Sequence, residues 1–346
     1  MHDSSWEFFL LHDVLKKVSR SFYLTLAILP DPVSRQVALA YLFARAADTI
    51  ADTGQVDRSA RLLCLQQFKS QFLRENLSFD EIGAVQTMMA PLQSHLGERT
   101  LLENLEPCFH MLQTFSSEDQ DAIRNLLPIL IGGMEMDLTV FLGDHQSTLT
   151  ALSTMAELDK YVYAVAGCVG EYWTDMMFAH LPSMRHWDRE SKVRIGIRFG
   201  KALQLTNILK DLPKDLRRGR CYIPLSELEQ VGLQPKDLLD KRNLKKLAPV
   251  IKRLVGVTLA HMDQGWFYTL SIPRLEVRLR LACMWPILIG LRTLQVLTTE
   301  GNLLDPEARH KVSRWQVYRI VFSTGLTAAS TYVGTSYFGH FRKSLG

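Results

Sequence analysis

Apolar residues recur along nearly the whole chain at intervals of three and four, the spacing that collects them on one face of an α-helix. Strict apolar/polar alternation, the mark of a half-buried strand, is almost absent. The pattern predicts helices at roughly 6–18, 32–52, 57–75, 80–95, 99–114, 118–142, 150–166, 188–212, 243–269, 274–298 and 306–322. Start signals support several of them. Asp31-Pro32 and Asp305-Pro306 each set a capping residue before a first-turn proline. Ser117-Glu-Asp-Gln120 has capping-box spacing. Loops are short and no low-complexity linker divides the chain. The expectation is one all-α domain over residues 1–320 and a tail over 321–346.

Two stretches interrupt the apolar stripes with carboxylates at helical spacing. Between Tyr41 and Asp52, the residues Tyr41, Arg45, Asp48 and Asp52 share a face, while Leu42, Ala46, Ala47 and Ile50 beside them are apolar. Between Gly200 and Pro224, Gln204, Asn207 and Asp211 line up, and Asp215 extends the row. Pro213 removes one backbone donor and disfavours helix at Leu212. The helix is therefore expected to loosen or end there, with Asp215 on its last turn or just beyond. Arg217, Arg218 and Arg220 follow around Gly219.

A carboxylate pair on a mostly apolar helix is costly to bury unless a positive group lies between its members. One Asp-x-x-x-Asp is ordinarily a solvated helix face. Two copies, one with Gln and Asn on its face and an arginine loop alongside, point to a shared cavity where a divalent metal meets a polyanion. Ligands that are all oxygen suit Mg²⁺ better than zinc.

The bulk properties narrow the field. The chain has 346 residues, 47% of them hydrophobic and 22% charged, as expected of a well-cored globular protein. The net charge of +4, with no basic stripe interleaved with aromatics, gives no case for a nucleic-acid partner. Five scattered cysteines (64, 108, 168, 221, 283) without a Cys-x-x-Cys read as free thiols in a reducing compartment. The N-terminus lacks the basic start and apolar run of a signal peptide, so a cytoplasmic location is expected. No dinucleotide fingerprint, Walker loop or His-Glu-x-x-His occurs, and the ten dispersed histidines read as surface or satisfied core. Residues 321–338 carry no charge and approach the length of a membrane span. Their Ser, Thr and Gly content weakens insertion. A final helix packed on the body, or a peripheral contact with a membrane surface, is expected ahead of a span.

Five motifs now stand in one order: Ser19-Arg-Ser-Phe22, Asp48-Thr-Ile-Ala-Asp52, Tyr161-Val-Tyr-Ala-Val-Ala-Gly-Cys-Val-Gly170, Asp211-Leu-Pro-Lys-Asp215 and Arg218-Gly-Arg-Cys-Tyr-Ile-Pro224. From about residue 15 to about 315 the chain resembles the squalene/phytoene synthases, head-to-head prenyl transferases of the all-α isoprenoid-synthase fold with a central cavity. Within that family the resemblance is taken to imply a bacterial squalene synthase. The resemblance implies two or three Mg²⁺ ions held by Asp48, Asp52, Asn207, Asp211 and Asp215. It implies diphosphate contacts from Ser19, Arg20, Ser21, Arg45, Gln204, Asn207, Lys210, Arg218 and Tyr222. Catalysis would fall to Tyr161 and Tyr41 together with Arg45, Asp48 and Asp211.

The implied chemistry needs these residue types. A prenyl diphosphate loses pyrophosphate and leaves an allylic cation, so metal ions and charge-assisted donors must offset the leaving group. The cation must meet an alkene before water, in a dry apolar tunnel. Ala164, Ala166, Gly167 and Gly170 would either open room for a long chain or allow two helices to pack closely. Tyr41, Tyr161 and Tyr222 can face the cation with their rings or sit as core tyrosines.

Two departures bear on the product. Eukaryotic squalene synthases carry a tyrosine where this chain has Ala164, and the resemblance to bacterial dehydrosqualene synthases gives that role to Tyr161. Lys210 stands where the family has an arginine, which loses the bidentate fork. The implied reaction joins two farnesyl diphosphates through presqualene diphosphate to squalene with NADPH. Dehydrosqualene, hydroxysqualene or phytoene formation, and a non-catalytic assembly subunit of the same fold, remain the alternatives. With no Rossmann unit, NADPH would rest on exposed basic groups: Lys201, Lys210, Lys214, Arg217 and Arg220, with Lys311 and Arg314. A monomer is expected.

Overall fold

Of the helices expected between residues 32 and 142, those at 32–52, 57–75 and 118–142 form as single helices, the one at 80–95 ends at Met89, and the one at 99–114 divides at Asn104 into Leu96–Glu103 and Leu105–Gln113. The computed structural model describes residues 4–19, 22–299, 302–308, 311–325 and 328–345. These gather into two compact units: Met1–Leu138 with Tyr172–Arg185, and Thr139–Glu171 with His186–Gly346.

In the first unit, helix Asp31–Asp52 buries Leu39, Leu42, Phe43, Ala46, Ala47 and Ile50. Phe43 meets Phe68, Phe72 and Phe109 at ring-centroid distances of 4.8–6.2 Å. Truncating such a fully buried ring costs about 3–5 kcal/mol, so this cluster fixes the helix and thereby the direction of its polar face. Helices Arg58–Leu73 and Phe79–Met89 start at Asp57 and Ser78, whose side chains accept from Ala60 N and Glu81 N. The cap of Ser117–Val140 is Ser116 rather than Ser117, since Ser116 Oγ accepts from Asp119 N. A buried polar network also belongs to this unit. Asp119 accepts from Gln36 Nε2 at 3.0 Å and lies 2.6 Å from His180 Nε2, while Tyr172 donates to Gln36 O at 3.1 Å.

In the second unit, the segment predicted as one helix over 150–166 divides. Thr150–Ala151 pairs in parallel with Arg220–Cys221. Helix Met155–Val162 follows, capped by Thr154, and a π-helical turn, Tyr163–Gly167, leads into helix Cys168–His180. That last helix has no counterpart among the predicted ones. Helix Arg189–Arg217 runs five residues past its predicted end and passes through Pro213. Leu212, Pro213 and Leu216 are buried, so packing outweighs the single hydrogen bond the proline removes. The helix packs against Leu244–Ser271 and Val277–Thr299. The helix expected over 306–322 starts instead at Arg314. Asp305 Oδ1 accepts from Glu307 N and makes a local turn. Within 321–338 the chain forms the end of Arg314–Gly325 and the start of Thr331–Lys343 rather than one helix. Phe338 of the latter stacks on Trp266 at 4.7 Å, which seats this final helix on the unit. Among the described residues the one helix long and apolar enough to cross a membrane is Val277–Thr299, and it is mostly buried. All five cysteines are buried and free.

Candidate active site

The first unit carries the first acidic motif. Asp48 and Asp52 project from the last turns of helix Asp31–Asp52, opposite its phenylalanine face. Arg45, three residues before Asp48, donates to Asp48 through Nη1 and to Glu98 of helix Leu96–Glu103 through Nη2. Burial works against the Arg45 charge, yet Asp48 and Glu98 outweigh it and hold the guanidinium pKa above its ordinary value. The positive group required beside the carboxylates is therefore supplied by the same helix. Glu98 escaped the sequence reading, and a Glu three residues beyond His95, the N-cap of its helix, is the only local signal for it. Arg61 was missed as well. Its Nη1 donates to Ala51 O at 3.1 Å, placing a cation at the helix C-terminus beside Asp52. Tyr41 stacks on Phe22 at 5.6 Å. Ser19 is buried and donates to Leu15 O at 2.6 Å. Arg20 and Ser21 lie outside the described residues.

The second unit carries the second motif. Gln204, Asn207, Asp211 and Asp215 fall on successive turns of Arg189–Arg217, which persists through Asp215. Lys210 Nζ lies 2.9 Å from Asn207 Oδ1 and 3.3 Å from Asp211 Oδ2. The helix ends at Arg218, and Gly219 takes φ +78°. A Cβ there would stand 2.7 Å from His145 O and 2.9 Å from Gly143 O, so only glycine fits between the two arginines. The parallel pair pins this loop: Thr150 N donates to Gly219 O, and Leu152 N to Cys221 O.

That ribbon also brings together two residues the sequence treated separately. Tyr161 and Tyr222 stack at 4.9 Å, and the Tyr161 hydroxyl donates to that of Tyr222 at 3.3 Å. Phe141 packs edge-on against Tyr222 at 5.1 Å. Both tyrosines are buried. Their aromatic faces could stabilise a cation, and their hydroxyls could relay a proton. Tyr163 takes another direction, donating to Glu171 at 3.0 Å, and burial pushes its phenol up to about 12.

Gly170 and Ala166 serve close packing. A Cβ on Gly170 would lie 1.9 Å from Gly196 O, and one on Gly200 would lie 2.1 Å from Ala166 O. Room for a long chain does not exist at Gly170, because the backbone of Arg189–Arg217 fills it.

The expectation of exposed basic groups for NADPH needs correction at three positions, one of them Lys210, which is 29% exposed and paired with Asp211. Lys201 is largely covered and paired with Asp159 at 2.7 Å. Arg220 is likewise covered and lies 3.7 Å from Asp144. Arg217, Arg218, Lys311 and Arg314 are exposed.

Among the described residues no three His, Cys, Asp or Glu side chains converge as a metal site. The chemistry of the donors still suits a hard cation. They are carboxylate and amide oxygens, and the Lys210 ammonium marks a place between Asn207 and Asp211 where positive charge is held.

Comparison with known proteins gives a family match: the profile described as squalene/phytoene synthase covers residues 15–316. The chain is 29% identical over 315 residues to a bifunctional lycopene cyclase/phytoene synthase of Pyrenophora tritici-repentis, covering 87% of this chain and 49% of that protein. It is 26% identical over 306 residues to the squalene synthase of Saccharomyces cerevisiae, covering 88% and 65%. It is 31% identical over 242 residues to a presqualene diphosphate synthase of Sinorhizobium fredii, covering 67% and 70%. This chain thus spans about half the length of the bifunctional relative. TcSQS, solved in complex with the ligand BPH1237, superposes with a TM-score of 0.76 at 21% identity, over 98% of this chain and 91% of that one. The shared architecture is the all-α isoprenoid-synthase fold.

Proposed function

The chain belongs to the squalene/phytoene synthase family, and from that premise we propose that it condenses two farnesyl diphosphates head to head, through presqualene diphosphate, to squalene. The observation that carries this reading is the pair of acidic helix faces, each with a cation already held against its carboxylates. Asp48 and Asp52, and Asn207, Asp211 and Asp215, would hold Mg²⁺. Bound there, Mg²⁺ supplies charge compensation for departing pyrophosphate. Arg45, Lys210 and Arg218 would donate to the diphosphate oxygens. Forming presqualene diphosphate releases one pyrophosphate and one proton, and the stacked Tyr161–Tyr222 pair offers a hydroxyl relay for that proton. The rings of the same pair face the charge that develops after ionisation.

Reduction to squalene requires NADPH, which supplies a hydride to the final cation. Arg217, Lys311 and Arg314 are the exposed groups suited to its phosphates. A second reading, dehydrosqualene or phytoene without a reductant, is favoured by one observation: Lys201 and Arg220 are already committed to Asp159 and Asp144. The test is to incubate purified protein with farnesyl diphosphate and Mg²⁺, with and without NADPH, and to identify the products. Squalene that depends on NADPH is expected. If NADPH changes neither rate nor product and dehydrosqualene or phytoene forms, the squalene assignment fails. If no diphosphate is consumed, the chain is a non-catalytic member of the fold.

A further inference from the structure

Arg45 is held by two carboxylates that differ in how open they are to solvent. The side chain of Asp48, on the same helix, is 46% exposed, whereas that of Glu98, on helix Leu96–Glu103, is 15% exposed and that of Arg45 itself 17%. Water reaches the first contact and is largely kept from the second, so the Asp48 contact is the easier one to give up. Glu98 is also the more firmly seated carboxylate. Its backbone N donates to His95 Nδ1 at 3.3 Å where the helix starts, and Leu101 and Leu102 of the same helix are buried. A Cβ on Gly97 would stand 2.7 Å from Lys17 Cβ, so the helix lies directly against Leu15–Val18. It packs on Asp31–Asp52 as well, and all of these residues belong to the first unit.

We propose that Glu98 is a positioning residue for the diphosphate site, keeping Arg45 in place while Asp48 turns from the guanidinium to a divalent cation. This role rests on the proposed function, in which Asp48 holds Mg²⁺ and Arg45 donates to a diphosphate oxygen. In the structure Arg45 Nη1 is spent on Asp48. Two positive charges drawn to one carboxylate repel each other, so Asp48 lets Nη1 go when it takes a metal ion. The Nη2 contact with Glu98 is untouched by that exchange and retains the rest of the fork. Arg45 then meets the diphosphate already ordered, and little rotamer freedom is left to lose on binding. A guanidinium suits this task because its planar fork can change one partner and keep the other, which a single ammonium cannot. Glu98 also draws Arg45 away from Asp48 beforehand, and so eases the exchange.

The test is isothermal titration calorimetry of the full chain with Mg²⁺ alone and with Mg²⁺ plus inorganic pyrophosphate, neither of which needs turnover. In Glu98→Gln, Arg45 keeps Asp48 as its one charged partner among the described residues and competes for it. Mg²⁺ should then bind about fivefold more weakly, although no proposed ligand has been removed. Pyrophosphate should bind about tenfold more weakly, because Arg45 is no longer held ready. Glu98→Asp, which keeps the charge, should recover part of both losses. In an Arg45→Gln background, Glu98→Gln should change Mg²⁺ affinity by no more than about twofold, because the residue through which Glu98 acts is gone. A retained cooperative melt shows that a variant folds, and if Glu98→Gln does not fold, the same comparison of backgrounds is made with Glu98→Asp. Equal loss of Mg²⁺ affinity in both backgrounds would make Glu98 act on the metal directly and overturns the proposal. Parent-like binding in the Glu98 variants, with an unaltered chain that binds both ligands, overturns it and leaves the proposed function standing. An unaltered chain that binds neither Mg²⁺ nor pyrophosphate overturns both.

Discussion

The two acidic motifs share a spacing and differ in the cation each holds. In the first, Arg45 is 17% exposed and forked between Asp48 on its own helix and Glu98 on another, so its geometry is set from two directions. In the second, Lys210 is 29% exposed and, among the described residues, reaches only neighbours on its own helix, Asn207 and Asp211. A guanidinium fork is rigid and permanently charged, whereas an ammonium on four methylenes is a movable point charge. The same sequence grammar therefore yields one carboxylate site fixed in advance and one whose cation can step aside for a ligand. That contrast, rather than the Asp-x-x-x-Asp spacing, divides the labour between the motifs.

Among changes to the two held cations, the larger effect is expected on the fixed side. Arg45→Ala should lower kcat/KM by about 10²-fold or more, as loss of a preorganised donor to developing charge does. It should also destabilise the fold by about 1–3 kcal/mol, because Glu98 loses its charged partner. Steady-state kinetics and urea titration read the two effects, and activity within twofold of the parent would erase the distinction drawn here. On the second side the scaffold is rigid even though its cation is not. Gly170→Ala drives a Cβ into Gly196 O and should cost about 1–3 kcal/mol, read as a lower melting temperature. A neutral outcome would mean that the two helices can separate freely.

Tyr161→Phe should reduce kcat by about tenfold with KM nearly constant, the pattern of a contact made chiefly in the transition state. A change in KM alone would make Tyr161 a binding residue. Lys210→Arg should change kcat by no more than about threefold, because a movable charge is replaced by another cation of similar reach. A loss matching that of Arg45→Ala would show both sites to be equally fixed.

The smallest effect concerns the helix that bears the second motif. Arg198 Nε donates to His261 Nδ1 at 3.2 Å, which requires a neutral imidazole. Burial, then the charges of Arg198 and Lys201, lower His261 from 6.5 to about 4. Between those values the unfolded chain binds a proton that the folded chain refuses. The stability contribution is thus complete above pH 6.5 and is lost as pH falls towards 4. His261→Gln keeps an acceptor for Arg198 and should flatten the fall in melting temperature across that window. An unchanged slope would remove His261 from the account.

The fold was legible wherever local signals agreed. Periodicity and caps located the helices from Asp31 to Val140, apart from the break at Asn104 that divides 99–114, because apolar stripe, cap and proline pointed the same way. The reading erred where tertiary packing overrode a local rule. Pro213 stays helical because buried Leu212 and Leu216 hold it, and Asp305-Pro306 makes a turn rather than a cap. The helix Cys168–His180 was missed although the motif ending at Gly170 leads directly into it. Site residues were nameable where type and spacing carry chemistry, as with Asp48 and Asp211. Glu98 and the Tyr161–Tyr222 stack were not, since each depends on a contact across 53 or 61 residues that no local pattern encodes.

The most direct test of the central claim compares Asp48→Asn with Asp211→Asn at saturating Mg²⁺, with farnesyl diphosphate consumption as the readout. Each variant removes one anionic ligand while preserving shape. Both should fold and melt near the parent, because Asn keeps the shape and an oxygen acceptor for Arg45 or Lys210. Both should lose activity by about 10²–10³-fold. Full activity in either variant would contradict the account.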